Sequence, residues 1–446
     1  MQFNQVERIF IRPGHENFEA CRLLCLRARR IYNSALYQMR QAFFAEQKLT
    51  APVIDKQLKT QQPELYQQLG SAAAQNTVLI MGDNWKGWIK GLQAFKKNPA
   101  GFLGKPKIPK YCQKAKTYVV SRNGFKIQNG RVSLSCPKGL TFPPLTVRCC
   151  RHQAFNEKAN KTVVGDLRIV PMGTGFIVEL VYRLQCKPLR RRTNQPKSSV
   201  HRVLAMDIGI DNLVAIMSNQ PGYRPVLIKA KTIRALNAAY NGDKATLASK
   251  GKDGHIRSKS LKRYCKIQDY FHKVSHWVIQ HAKQQGVGKI VIGHNPEWKQ
   301  GVNIGKVNNQ KFVSIPHARL IEMLEYKGQM AGITVKVREE SYTSQASALD
   351  LDEIPTYRPS NPVKHRFSGK RAGRLYRAQD GLSISADING AANILRKEIG
   401  DSWLSSQLKP ARALWTRPCV IRHVDHALEG APRGAELNSE DQLLAN

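Results

Sequence analysis

The stretch Val203-Leu204-Ala205-Met206-Asp207-Ile208-Gly209-Ile210-Asp211-Asn212-Leu213-Val214-Ala215-Ile216 decides how the rest of the chain is read. Val203 to Met206 is an unbroken apolar run, which suits a buried strand. It ends in Asp207, an acid whose burial is costly unless something compensates it. Gly209 permits a tight turn and Asp211-Asn212 favour one. Leu213 to Ile216 is a second apolar run. The segment therefore predicts a hairpin with a carboxylate near its bend, and a metal ion would satisfy that carboxylate. A plain hairpin with a turn aspartate is the competing reading.

Two later stretches bear on the choice. Ser385 to Lys397 (SADINGAANILRK) combines small residues with an Ile388, Ala392, Leu395 spacing, the pattern of a closely packed helix. Asp387 falls at its start, where an acid also suits the helix dipole. Lys289 to Asn295 (KIVIGHN) is another buried-strand run ending in polar residues.

A DxGxxN hairpin, a later central strand and a DxNxAxNI helix resemble the split RuvC nuclease of TnpB proteins. These are RNA-guided nucleases encoded by bacterial insertion sequences and related to type V CRISPR effectors. The resemblance extends forward to Leu23–Phe44, similar to that family's opening helix. It also takes in Gln75–Tyr111, similar to its helix followed by a basic Lys/Pro segment. Together these cover most of residues 1–400.

Composition agrees with a polyanion partner. The 446 residues carry 71 Lys and Arg against 32 acids, a formal charge of +39, with 41% apolar residues to build cores. Two or three domains are expected at this length. No apolar run is long enough to span a bilayer and no signal peptide is seen, so nucleic acid is favoured over a membrane. Nine cysteines (21, 25, 112, 136, 149, 150, 186, 265 and 419) show neither a disulfide spacing nor a CxxC pair. A reduced, cytoplasmic compartment fits, with the chain at the nucleoid when bound.

The expected fold class is multidomain α+β: a small β-barrel with a helical insertion, followed by a ribonuclease H-like (RuvC) α/β domain. Residues 1–16 and 117–187 supply the wedge-like barrel and 17–116 the helical recognition insert. A basic linker spans 188–202. The nuclease-like domain spans 203–400 and includes a basic insert at 343–386. Residues 401–446 are expected to be a largely disordered tail. Within the nuclease-like part, 242–262 reads as a mobile basic loop, 261–283 as a helix, and Ser314 as the cap of a helix running to about Ala331.

The resemblance implies hydrolysis by Mg2+, two ions per site with Mn2+ as a substitute. Such chemistry needs carboxylates converging on two cations about 4 Å apart. Asp207 and Asp387 are two of them. The family's central-strand glutamate is absent, because Gly293 occupies that position. Either the chain is a catalytically dead guided binder, or the acid has moved. Glu340, beside Glu339, ends the neighbouring strand and precedes Tyr342-Thr343-Ser344-Gln345. Some TnpB-like sequences resemble this one in carrying Glu there. Relocation is favoured because Asp207 and Asp387 are intact. Glu297 is a weaker substitute, and Asp350, Asp352 and Glu353 weaker still.

Many relatives carry two CxxC pairs before the final aspartate, but residues 343–386 contain no cysteine, so no zinc is expected. His272, His276 and His281 have a tempting spacing with no third ligand, and read as packed or exposed side chains. For phosphate contacts the candidates are Arg27 and Arg30, Lys105, Lys107 and Lys110, and Arg374 and Arg377. The resemblance implies a guide RNA from the element and double-stranded target DNA with a short flanking motif as partners. A transposase with an acidic triad and a ribosome-like RNA binder are the remaining alternatives.

Overall fold

The computed structural model describes residues 2–134, 137, 145–148, 162–185, 199–295, 314–356, 365–405 and 408–424. The chain divides into two compact units, Met1–Lys187 and Pro188–Asn446.

In the first unit, strand β1 (Gln2–Ile11) leads into a helical group: α1 (Phe18–Phe44), α2 (Ala51–Gln61), α3 (Pro63–Leu69) and α4 (Ser71–Lys97). Helix α1 buries Leu24, Ala28, Ile31, Ala35 and Leu36, a stripe at helical spacing. Pro52 and Pro63 each fall in a first turn, where a missing N–H costs nothing. Then come β2 (Tyr118–Val120), β3 (Phe125–Gln128), β4 (Arg131–Leu134), β5 (Leu145–Arg148), β6 (Thr162–Met172) and β7 (Gly175–Gln185).

These strands make two sheets, ordered β1-β7-β6-β2 and β3-β4-β5, antiparallel throughout. Among the described residues no ladder joins the two sheets, so the described strands do not themselves close a barrel.

The second unit is built on a mixed sheet of β8 (Ser199–Asp207), β9 (Asn212–Ser218), β10 (Val226–Lys229), β11 (Val287–Gly293), β12 (Thr334–Arg338) and β16 (Cys419–Ile421), in the order β12-β11-β8-β9-β10-β16. The strands β8, β9 and β10 are antiparallel, β11 is parallel to both β8 and β12, and β16 is parallel to β10. The period of two along β8 separates two cores. Leu204 and Met206 pack with α5 (Lys231–Ser249), α6 (Asp253–Gln284) and α7 (His317–Met330). Val203 and Ala205 pack on the opposite face with α8 (Ala386–Ile399) and the small sheet of β13 (Lys370–Ala372), β14 (Leu375–Arg377) and β15 (Ser383–Ser385). A strand buried on both faces must be apolar throughout, which is how 203–206 reads.

Three sequence expectations change. Residues 242–262 are helical except around Gly251 (φ +64°), which separates α5 from α6. Lys, Arg, Leu and Ala favour helix, and the charge concealed that propensity. Ser314 does not cap α7: Pro316 precedes the helix, and Asn237 Nδ2 donates to Ser314 Oγ at 2.9 Å instead. The C-terminal stretch through residue 424 is folded rather than a loose tail. Short helices α9 (Ser402–Ser405) and α10 (Leu408–Trp415) lead to β16, and Leu404, Trp415, Ile421 and Val424 are buried. The expected disorder of 425–446 lies outside the described residues, as do Glu297 and most of the 188–202 linker. Among the described residues no helix is long and apolar enough to cross a membrane.

Candidate active site

Strands β8 and β11 pair in parallel up to Met206 and Ile292, so Asp207 and Gly293 are the next residues on the two strands. Gly293 in turn pairs with Arg338 of β12, and Glu339-Glu340 follow directly. Three strand ends therefore deliver Asp207, Gly293 and Glu340 to one rim of the sheet. Asp387 arrives on the first turn of α8.

The rim is tightly packed. A Cβ on Gly293 would stand 2.8 Å from Glu340 Oε2 and collide with the Ile394 side chain. The carboxylate of Glu340 thus borders the space that a side chain at position 293 would enter. A Cβ on Gly390 would stand 2.5 Å from Asp207 Oδ2, so the absence of a side chain there gives Asp207 its room against α8.

Electrostatics separates the acids. Burial pushes the Asp207 pKa well above the ordinary carboxylate value, the charges of Asp387 and Glu340 push it further, and Arg371 opposes them. Burial, with Glu339 second, lifts Glu340 to about 7, against the Asn295 and Lys397 contacts. The Glu340 amide donates to Asn295 Oδ1 at 3.0 Å, which holds its backbone. Glu339 faces elsewhere. It accepts from Lys397 Nζ at 2.9 Å and from the Ser341 amide at 2.5 Å. Burial would raise its pKa, but those hydrogen bonds outweigh it and hold Glu339 below the usual range.

Asp387 Oδ2 accepts from Asn212 Nδ2 at 2.6 Å, and Arg371 Nη2 lies 3.6 Å from Oδ1. The structure therefore brings both Glu340 and Asp387 within electrostatic reach of Asp207. Among the described residues, however, no three His, Cys, Asp or Glu side chains are gathered into a ready-made coordination shell.

Sequence reading missed several groups here. Asn389 and Asn393, fully buried on α8, pin the segment after Glu340: Asn389 Nδ2 donates to the Ala346 carbonyl at 2.8 Å, and Asn393 Nδ2 to that of Thr343 at 2.9 Å. Two asparagines four residues apart in a small-residue helix were the available signal. Arg371 was also missed; nothing in the sequence marks it off from its neighbours. Arg374 is paired with Asp211 at 2.9 Å, and Asp211 is paired with Arg234 as well. Arg377 is exposed. Asp350 and Asp352 accept from Ser347, which makes them supports of the insert rather than site acids. His276 is buried, and burial holds His281 near 4 while its ring stacks on Trp277 and meets the Tyr223 hydroxyl at 2.9 Å.

In the first unit, the basic segment 105–113 is tied to the helices. Pro109 O accepts from Arg40 at 3.3 Å, Pro106 O from Trp88 at 3.2 Å and Gln113 O from Arg29. Exposed Lys105, Lys107 and Lys110 line a cavity of about 640 Å³ with Arg40, Pro106 and Ile108. Arg30 is exposed. Arg27 is half-buried, its Nη1 has no partner among the described residues, and burial lowers its pKa.

Fold and site define a mixed α/β protein with a half-buried acidic rim on its second unit. Residues 183–299 match the model of the probable transposase family OrfB_IS605, and residues 317–394 match the Cas12f1-like TNB domain. Over these residues the chain is similar to the OrfB_IS605 transposases and to Cas12f1-like proteins. A curated relative, the CRISPR-associated endodeoxyribonuclease Cas12f2 of Micrarchaeota archaeon (strain CG1_02_47_40), is 26% identical over 209 residues. That match covers 45% of this chain and 37% of the relative's length. Among solved structures, a Cas12f1-sgRNA-target DNA complex aligns with 89% of this chain and 100% of its own at 13% identity and a TM-score of 0.34. The mini-RNA-guided endonuclease CRISPR-Cas_phi3 aligns over 89% and 92% at 12% identity, with a TM-score of 0.41.

Proposed function

We propose that the chain is an RNA-guided DNA endonuclease whose site is completed by Glu340 in place of an acid at position 293. The observation that carries this reading is the position of the Glu340 carboxylate, bordering the space a side chain on Gly293 would fill and felt by Asp207. The strand order β12-β11-β8-β9-β10, with helices on both faces, supports a ribonuclease H-like (RuvC) domain. The strands and helices of the first unit are read as the wedge-like barrel and its helical recognition insert.

The acids suit a hard divalent cation. The charges of Asp387 and Glu340 add to burial in raising the Asp207 pKa, with Arg371 opposing them, which marks negative charge that a cation would neutralise. Asp207, Glu340 and Asp387 would hold Mg2+, two ions per site, with Mn2+ as a substitute. When bound, such ions polarise a phosphodiester and ease the deprotonation of water. The chain's own residues orient the acids. Asn295 holds the Glu340 backbone, Asn212 holds Asp387, and Asn389 and Asn393 keep the following segment against α8.

The partners are a guide RNA and double-stranded DNA. Pairing would read most of the target, while protein contacts read a short flanking motif. The partial similarity to a CRISPR-associated endodeoxyribonuclease supports this. The formal charge of +39 supports polyanion binding. A guided binder that does not cut is the second reading, favoured by Gly293 alone.

The test is cleavage of plasmid DNA carrying the target of the RNA that co-purifies with the chain. Wild type should cut with Mg2+ and stop with EDTA, and Glu340→Ala should bind without cutting. Wild type that binds but never nicks establishes the binder reading instead.

A further inference from the structure

We propose that Lys229 and Asn212 form a relay that selects which oxygen of Asp387 faces the cation, making both of them positioning residues. The inference rests on the cation-binding reading of the site. Asn212 is buried, at 7% exposure, and its amide makes two hydrogen bonds of opposite sense. Lys229 Nζ donates to Asn212 Oδ1 at 2.7 Å, and Asn212 Nδ2 donates to Asp387 Oδ2 at 2.6 Å.

An amide can be turned either way, but an ammonium carries donors only and a carboxylate acceptors only. Reversing Asn212 would set oxygen against oxygen at Asp387 and NH2 against NH3+ at Lys229. Lys229 therefore fixes the amide with its oxygen outward, and the NH2 group is left for Asp387. Oδ2 is committed to that bond. Oδ1, the oxygen that Arg371 approaches to 3.6 Å, is left to meet a cation.

The backbone brings the pair together. Strands β9 and β10 run in register from Val226–Ile216 to Ile228–Val214 and then slip, so that Lys229 pairs with Asn212 and Leu213 is skipped. Without this bulge Lys229 would lie opposite Leu213. Bulges commonly re-aim a side chain beside an active site. Both flanks of Lys229 are anchored: its carbonyl accepts from the Tyr270 hydroxyl at 3.1 Å, and the Ala230 amide donates to the Asp211 carbonyl at 3.1 Å.

A bland reading makes Lys229 a counter-charge near the acids. The two readings differ in sign. Removing a nearby positive charge should tighten cation binding, whereas breaking an orienting contact should weaken it, by about tenfold or more. The measurement is calorimetric titration of Mn2+ into the full-length chain without DNA, with thermal melting of each variant alongside. The relay requires weaker Mn2+ binding in Lys229→Met, recovery in Lys229→Arg, and the same loss in Asn212→Ser, a milder change that guards against misfolding. The double variant should be no worse than either single one. Lys229→Met binding Mn2+ as tightly as wild type or tighter, while Asp387→Ala loses it, overturns the relay and leaves the site standing. Equal binding by wild type and Asp387→Ala removes the cation site and the relay with it.

Discussion

Single residues at the rim carry consequences that can be read one at a time. Glu340 has a pKa raised to about 7, mainly by burial, against an unfolded carboxylate near 4.5. Between those values the folded chain holds more protons than the unfolded one, so stability falls as pH rises through that window. Melting without divalent cation should therefore show a temperature that declines from pH 4.5 to above 7, with a shallower decline in Glu340→Gln. Added Mg2+ should reverse the trend, because binding needs the deprotonated acid. A pH profile identical in wild type and Glu340→Gln would count against the buried placement of this side chain. Gly390→Ala is a second residue-level case. Ala favours helix over Gly by about 1 kcal/mol, yet its Cβ would stand 2.5 Å from Asp207 Oδ2. Folding stability should be kept, with cleavage falling by at least about tenfold. Retained cleavage would mean that Asp207 has room to move.

At the scale of elements, the hairpin of β13 and β14 acts as a cover. It turns at Gly373 (φ +61°) and carries Arg371 toward Asp387 and Arg374 to Asp211. Both arginines are exposed enough for solvent to screen the pairs, so each contributes little to stability. Their larger effect is on charge at the rim. Arg371→Gln should lower the Mg2+ concentration needed for half-maximal cleavage, by relieving competition for Asp387 Oδ1. An increase in that concentration would instead make Arg371 a support for the cation.

Elements were also where the sequence was easiest to read. The β8–β9 hairpin, β11 and α8 follow from apolar runs, one glycine and a row of small residues, all local signals. What escaped was non-local or hidden by charge. The 242–262 segment is helical because Lys, Leu and Ala propensity outweighs the basic character that suggested a loop. The bulge that seats Lys229 depends on strand pairing, which no single strand encodes. Arg371 is one of several arginines in a basic insert, and only its place in the three-stranded sheet distinguishes it.

Across the whole molecule two expectations stand out. The second unit is finished by residues beyond the last recognisable motif. Trp415 is 2% exposed, Leu404 is fully buried, and β16 adds an edge strand to the sheet. Trp415→Ala should cost about 3–5 kcal/mol in urea denaturation, with a loss below about 1 kcal/mol contradicting the packing. The large positive charge makes a second, sequence-independent expectation. Affinity for any duplex should fall steeply and log-linearly with salt. Lys105→Ala, Lys107→Ala and Lys110→Ala together should flatten the slope by roughly one unit for each phosphate that is no longer neutralised. An unchanged slope would remove that basic segment from the nucleic-acid surface.

The most direct measurement is the anomalous scattering of Mn2+ in crystals of the chain grown with its RNA. The account predicts manganese at the rim of the mixed sheet, within coordination distance of Asp207, Glu340 and Asp387. Manganese held by Asp207 and Asp387 with Glu340 turned away, or no manganese at that rim, would contradict it.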